Sequence, residues 1–317
     1  MTDSGVGADA DGGVGADADG VLAPRLLTGL RVAVTRSVDR AGGLLAALDA
    51  AGAEPVLVPL IDFEVGDQDA LGSAVRRLAA GEYTWLVISS ITTLRALKQW
   101  CENAGTSLAE LVPASTSVAT IGPTSVAVLA AEGIEAVLAP TELQSAAGLV
   151  ELWPEFTGSG SPARNAMPAN KVLLPQSNLA EPTLAGGLAA KGWYPEVVTA
   201  YMTVDYPARQ GFRLTSSLRH SRPTTAASHP LLTPAEAAGE IATGAIDAVV
   251  LASGSAARRT AQAFSPLPVS CLLVAIGEPT RREAERLGLH VAATAVHPTP
   301  EGIVAALARA RTTLHNQ

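Results

Sequence analysis

Residues 171–204, KVLLPQSNLAEPTLAGGLAAKGWYPEVVTAYMTV, constrain the fold more than any other stretch. Val172-Leu173-Leu174 is a β run that stops at Pro175, and Ser177 and Asn178 follow where a helix would start. Leu184, Leu188 and Ala189 then recur at helical spacing, Gly192 ends the helix, and residues 197–201 form a second β run. This is a β-α-β unit. Parallel strands joined through a helix require a sheet covered by helices, so the chain is committed to an α/β architecture.

The same grammar recurs along the chain. Residues 30–35 read as a buried strand with Arg36 at its C-terminal edge, Leu44, Leu45 and Leu48 give a helical stripe, and Gly52 stops it before a strand ending at Pro59. Residues 70–80 are helical, and residues 85–88 form a strand leaving through Ser89-Ser90. A strand at 117–121 reaches Gly122 ahead of a helix at 125–131, with a further strand at Val137-Leu138 and a helix at 146–152. Residues 154–170 form a Pro/Gly/Ser-rich linker or surface loop, and 206–229 an Arg/Ser-rich irregular insertion. Helix 236–244, strand 248–251, strand 272–276 ending at Gly277, helix 280–287, strand 291–293 and helix 301–309 complete the order. Gly52 and Pro55 correspond in spacing to Gly192 and Pro195, Gly81 and Ser90 to Gly244 and Ser253, and Gly122 and Gly133 to Gly277 and Gly288. Two similar α/β halves follow.

Composition narrows the function. The length of 317 residues suits about two domains, and 48% hydrophobic content with only 4% aromatics leaves Ala, Val and Leu to fill the cores. A net charge of −8 argues against a general nucleic-acid binder. Cys101 and Cys271 stand in no metal-like spacing and read as buried thiols, and the histidines form no ligand pair. No strand runs into G-x-G-x-x-G, so a nicotinamide enzyme is not expected, and no Ser/His/Asp or Cys/His system can be assembled. Residues 5–12 and 13–20 repeat GVGADADG, so residues 1–27 are expected to be a disordered acidic tail. With no apolar leader or membrane span, the expectation is a soluble, cytoplasmic monomer.

In open α/β sheets, ligands bind beyond the carboxyl ends of the strands. Here those exits carry Thr35-Arg36, Ser89-Ser90, Gly122 followed by Ser125, Ser177-Asn178, Ser253 and Gly277 followed by Thr280. A single Ser or Thr at such a place is an ordinary helix cap, but their recurrence on one kind of edge suits carboxylates or other anions. Tyr201 stands apart, a phenol near the end of a β run where the halves meet.

These residues resemble the uroporphyrinogen-III synthase family. The shared signatures are VAVTR (32–36), LVISS (86–90), Ile-Gly-Pro-Thr-Ser (121–125), Pro-x-x-Asn-Leu (175–179), Tyr-x-Thr-Val (201–204), Ile-Gly-x-x-Thr (276–280) and Pro-Thr-Pro (298–300). The resemblance implies two flavodoxin-like parallel-sheet domains joined by a two-stranded ladder, the chain crossing at residues 60–64 and 201–205. One domain would be residues 28–59 plus 206–314, the other residues 60–205. It implies a cofactor-free cyclisation of hydroxymethylbilane to uroporphyrinogen III, with ring D inverted and water lost, the substrate handed over by hydroxymethylbilane synthase. Tyr201 would donate a proton to the departing hydroxyl, and Arg36, Ser90, Ser125, Ser177, Asn178, Ser253 and Thr280 would hold substrate carboxylates. Ala180-Glu181 and Glu278-Pro279 depart from the pattern by removing donors or adding negative charge, so a non-catalytic tetrapyrrole- or anion-binding sensor is the alternative.

Overall fold

The computed structural model describes residues 26–158, 170–219 and 228–315. The acidic repeat and parts of the two irregular segments lie outside the described residues. The strands are β1 (Arg31–Val34), β2 (Glu54–Leu57), β3 (Ile61–Val65), β4 (Trp85–Ile88), β5 (Ser117–Thr120), β6 (Lys171–Ser177), β7 (Tyr194–Asp205), β8 (Ala248–Leu251), β9 (Leu272–Ala275) and β10 (Ala293–Thr294). The helices are α1 (Val38–Ala50), α2 (Gln68–Ala79), α3 (Ile91–Ala104), α4 (Leu108–Leu111), α5 (Pro123–Ala131), α6 (Ala146–Leu152), α7 (Thr183–Ala190), α8 (Pro234–Ala242), α9 (Gly254–Phe264), α10 (Glu278–Arg286) and α11 (Pro300–His315).

These elements build two sheets, ordered β10-β9-β8-β1-β2 and β3-β7-β6-β4-β5. Every pairing is parallel except β3 with β7, where Ile61–Val65 runs against Asp205–Tyr201. The first sheet is buried on both faces. Val32, Val34, Ala248 and Val250 join α1 and α11 on one side, while Ala33, Val249 and Leu251 meet α8, α9 and α10 on the other. The second sheet is covered likewise, by α2 and α3 on one face and by α6 and α7 on the other. Continuous runs such as AVVL (248–251) are what a strand enclosed on both faces requires.

The internal duplication extends to register. Val32 faces Pro55 as Val172 faces Pro195. Gly52 and Gly192, which end the turns after α1 and α7, share a φ of 83°, a conformation that penalises any side chain. Ser90 and Ser253 both cap helices, each hydroxyl accepting an N–H three residues on.

Some elements differ from the sequence expectation. β6 runs through Pro175 to Ser177, because its pairing with β4 has already ended at Leu173 and the missing N–H is tolerated. α7 accordingly starts at Thr183, after a turn through Asn178 and Leu179, rather than at Ser177-Asn178. Val137-Leu138 contributes only an isolated bridge, Ala119 to Leu138. The short α4, with its Ser107/Glu110 capping box, has no counterpart in the expectation.

The chain leaving β7 is fastened back onto β3. Glu64, 3% exposed, accepts from the backbone N and the guanidinium of Arg209, which hold its carboxyl below the usual carboxylate range. Asp62 takes Arg213 at 2.6 Å and the Ala208 N–H at 3.0 Å. No helix among the described residues is long and apolar enough to cross a membrane.

Candidate active site

The antiparallel ladder meets the strand exits of the second sheet at Tyr201, and a break in β7 sets that side chain's direction. Gln176 pairs with Thr199 but Ser177 pairs with Tyr201, so Ala200 is the extra residue of a bulge. A regular strand would alternate Ala200 and Tyr201 between faces; the bulge lets both pack against the α2/α3 side. There the Tyr201 hydroxyl lies 3.2 Å from Ser90 Oγ, and its ring meets Phe63 edge-on at 5.7 Å. The side chain is 8% exposed.

Ser90 is fixed by its capping role. It leaves β4 extended, and its Oγ accepts the Thr93 N–H at 3.0 Å and lies 3.0 Å from Thr93 Oγ1. When Thr93 donates its hydroxyl to Ser90, the Ser90 proton turns to Tyr201 Oη, and the phenolic proton is left for another acceptor. The next strand exit joins the same group. Ser177 Oγ lies 3.2 Å from Thr203 Oγ1 and donates to Asn178 Oδ1, which also accepts the Thr203 N–H at 2.8 Å; the Asn178 N–H donates to the Tyr201 carbonyl. Ser90, Ser177, Asn178 and Tyr201 therefore share one bonded cluster. Thr93 and Thr203 complete it, although the sequence reading does not single them out. Thr203 had a signal, being two residues beyond Tyr201 on a strand.

The remaining sequence candidates occupy equivalent places elsewhere. Arg36 follows β1 and has no hydrogen bond or ion pair among the described residues. Partial burial and the neighbouring Arg40 lower its pKa, Asp39 opposing them. Ser253, beside it at the exit of β8, caps α9 and touches Ser255 Oγ at 3.0 Å. Ser125 and Thr280 lie early in α5 and α10, one partly exposed and the other buried, and neither bonds to the Tyr201 cluster. Glu278 stands between Arg281 at 3.9 Å and Arg282 at 3.3 Å, which offset the charge it brings to that exit.

Two ion pairs join residues just past the exits of one sheet to the other. Arg95 on α3 reaches Asp39 on α1 at 3.8 Å, and Arg259 on α9 donates to Asp205 at the end of β7 at 2.9 Å. Two cavities, of about 220 Å³ beside Lys98 and Glu132 and about 410 Å³ beside Arg31 and His229, include none of the candidate residues. Fold and site together define a two-lobed α/β protein whose strand exits carry hydroxyls, helix N-termini and a guanidinium with no partner among the described residues, a chemistry suited to polyanionic ligands.

The family model described as uroporphyrinogen-III synthase HemD matches residues 43–305, and the chain belongs to that family, which works in tetrapyrrole biosynthesis. A mutant uroporphyrinogen III synthase from the extremely thermophilic bacterium Thermus thermophilus has a similar fold, with a TM-score of 0.54 at 15% identity over 90% of this chain and 99% of that one. Uroporphyrinogen-III synthetase from Helicobacter pylori aligns with a TM-score of 0.48 at 10% identity over 91% of this chain and 100% of that one. No curated protein matches the chain in sequence.

Proposed function

We propose that the protein closes hydroxymethylbilane to uroporphyrinogen III, inverting the last pyrrole ring and releasing water. The lobe built on the β10-β9-β8-β1-β2 sheet and the lobe built on the β3-β7-β6-β4-β5 sheet hold the linear tetrapyrrole between their strand exits. Arg36, Ser253 and the α10 N-terminal turn with Thr280 bind carboxylates from one side, and Ser90, Ser125, Ser177 and Asn178 from the other. Tyr201 gives its proton to the terminal hydroxyl as the carbon–oxygen bond breaks, leaving a cation that the pyrrole nitrogen stabilises. The last ring attacks that carbon through the α-carbon that already carries its bridge, the old bridge bond breaks, the bridge carbon rejoins the ring at its free α-carbon, and the proton lost there restores the phenol. The hydroxyl, once protonated, departs as neutral water. The protein's main contribution is to hold the chain ends in the less favoured orientation, with general acid assistance at one atom.

The observation that carries this reading is the Tyr201 hydroxyl, held 3.2 Å from the Oγ of a capping serine that already accepts the Thr93 N–H. The test supplies porphobilinogen and its deaminase, adds the purified protein, and separates type I from type III uroporphyrinogen after oxidation. Type III is the expected product. Type I alone overturns the reading, even if a tetrapyrrole binds.

A further inference from the structure

We infer that Gly66 is a positioning residue for this cyclisation: it leaves room for the bulge in β7 that turns the Tyr201 hydroxyl to Ser90. The inference rests on the reading of Tyr201 as proton donor.

Gly66 lies between β3 and the Asp67 cap of α2, with its N–H bonded to the Ala200 carbonyl at 3.0 Å. A Cβ there would stand 2.0 Å from the Thr199 carbonyl oxygen and 2.8 Å from the Ala200 carbonyl carbon. Both obstacles are backbone, and both belong to the bulge. The demand is for space alone, because Gly66 does not take a positive φ. Its neighbour Val65 is the ladder partner of Tyr201, so a displacement at Gly66 passes directly into the segment carrying the phenol. A side chain at 66 must push the two backbones apart by about 1 Å, a misplacement that costs on the order of a hundredfold at a reacting group. The extra residue is what brings Ala200 and Tyr201 onto one face, so flattening it turns the hydroxyl away from Ser90.

The experiment compares Gly66→Ala, Tyr201→Phe and the double variant by kcat, KM and the type I to type III ratio, each normalised to the folded fraction by circular dichroism. Gly66→Ala is expected to lower kcat by roughly a hundredfold with KM little changed, and to add little further loss in the Tyr201→Phe background. A purely structural role would lower the yield of folded protein without that coupling. If Gly66→Ala does not fold, Ala200→Gly carries the test: it frees the bulge, and its kcat loss must also vanish in the Tyr201→Phe background. Full kcat in folded Gly66→Ala beside a slow Tyr201→Phe overturns the inference and leaves the tyrosine reading standing, as do losses that multiply in the double variant. In the fallback arm, wild-type kcat for Ala200→Gly overturns it. Wild-type turnover in Tyr201→Phe instead ends the tyrosine reading, and the inference with it.

Discussion

Replacing Tyr201 with Phe removes one oxygen and leaves the packing in place. The ring keeps its edge-on contact with Phe63 and its place in the core. Ser90 Oγ loses the phenol but retains the Thr93 N–H and the Thr93 hydroxyl, so no buried group is orphaned. The stability cost is that of one neutral hydrogen bond, about 1 kcal/mol, which lowers the melting midpoint by roughly 3 °C for a domain of this size. The catalytic cost is far larger. Loss of a positioned general acid removes about a hundred- to ten-thousandfold from the rate of the assisted step. The assay is turnover of enzymatically generated hydroxymethylbilane, with the uroporphyrinogen isomers resolved after oxidation. The account predicts a slow, folded variant whose background product shifts to type I. A variant that turns over at the wild-type rate would refute the role of the phenol, whatever its melting midpoint.

Three further outcomes follow from other parts of the molecule. Arg36→Met should raise KM by roughly tenfold or more, the worth of one charge-assisted hydrogen bond, and leave the melting midpoint unchanged because Arg36 has no ion-pair partner among the described residues; an unchanged KM would remove it from the site. Cys101 and Cys271 are buried, and burial pushes both thiols up to about 11, so neither should react with a thiol reagent at pH 8 until the chain unfolds; rapid labelling of native protein would contradict their burial. Glu64 has its folded pKa depressed by Arg209, so its stabilisation of the ladder is complete above the unfolded carboxyl value of about 4.3 and is lost as pH falls through the lower folded value. Acid melts of Glu64→Gln should therefore show a shallower loss of stability below about pH 4, and parallel pH profiles would exclude that linkage.

Much of the fold could be read from strand exits and helix stops. Gly52, Gly81 and Gly122 echo Gly192, Gly244 and Gly277, and those echoes are real equivalences of register and capping. The ladder at residues 61–65 and 201–205 falls within a residue of the crossings that the family resemblance implied. What stayed hidden depends on contacts distant in sequence. Pro175 reads locally as a strand stop, and only the divergence of β4 explains why β6 continues. The bulge at Ala200 leaves no trace in the pattern of residues 197–201, because it is defined by its partner strand. Gly66 looks like any loop glycine until the Thr199 carbonyl is seen against it. At the site, Ser90, Ser177, Asn178 and Tyr201 were legible as types at strand ends, whereas their joining into one hydrogen-bonded group required the sheet order β7-β6-β4.

The central claim is that one polyanionic ligand bridges the strand exits of both sheets. Amide hydrogen exchange, measured anaerobically with and without uroporphyrinogen III, tests it directly. Bridging predicts slowed exchange in the first turns of α1 and α9 together with the first turn of α3 and residues 177–179. Slowing confined to one sheet's exits, or to the cavities beside Glu132 and His229, would contradict it.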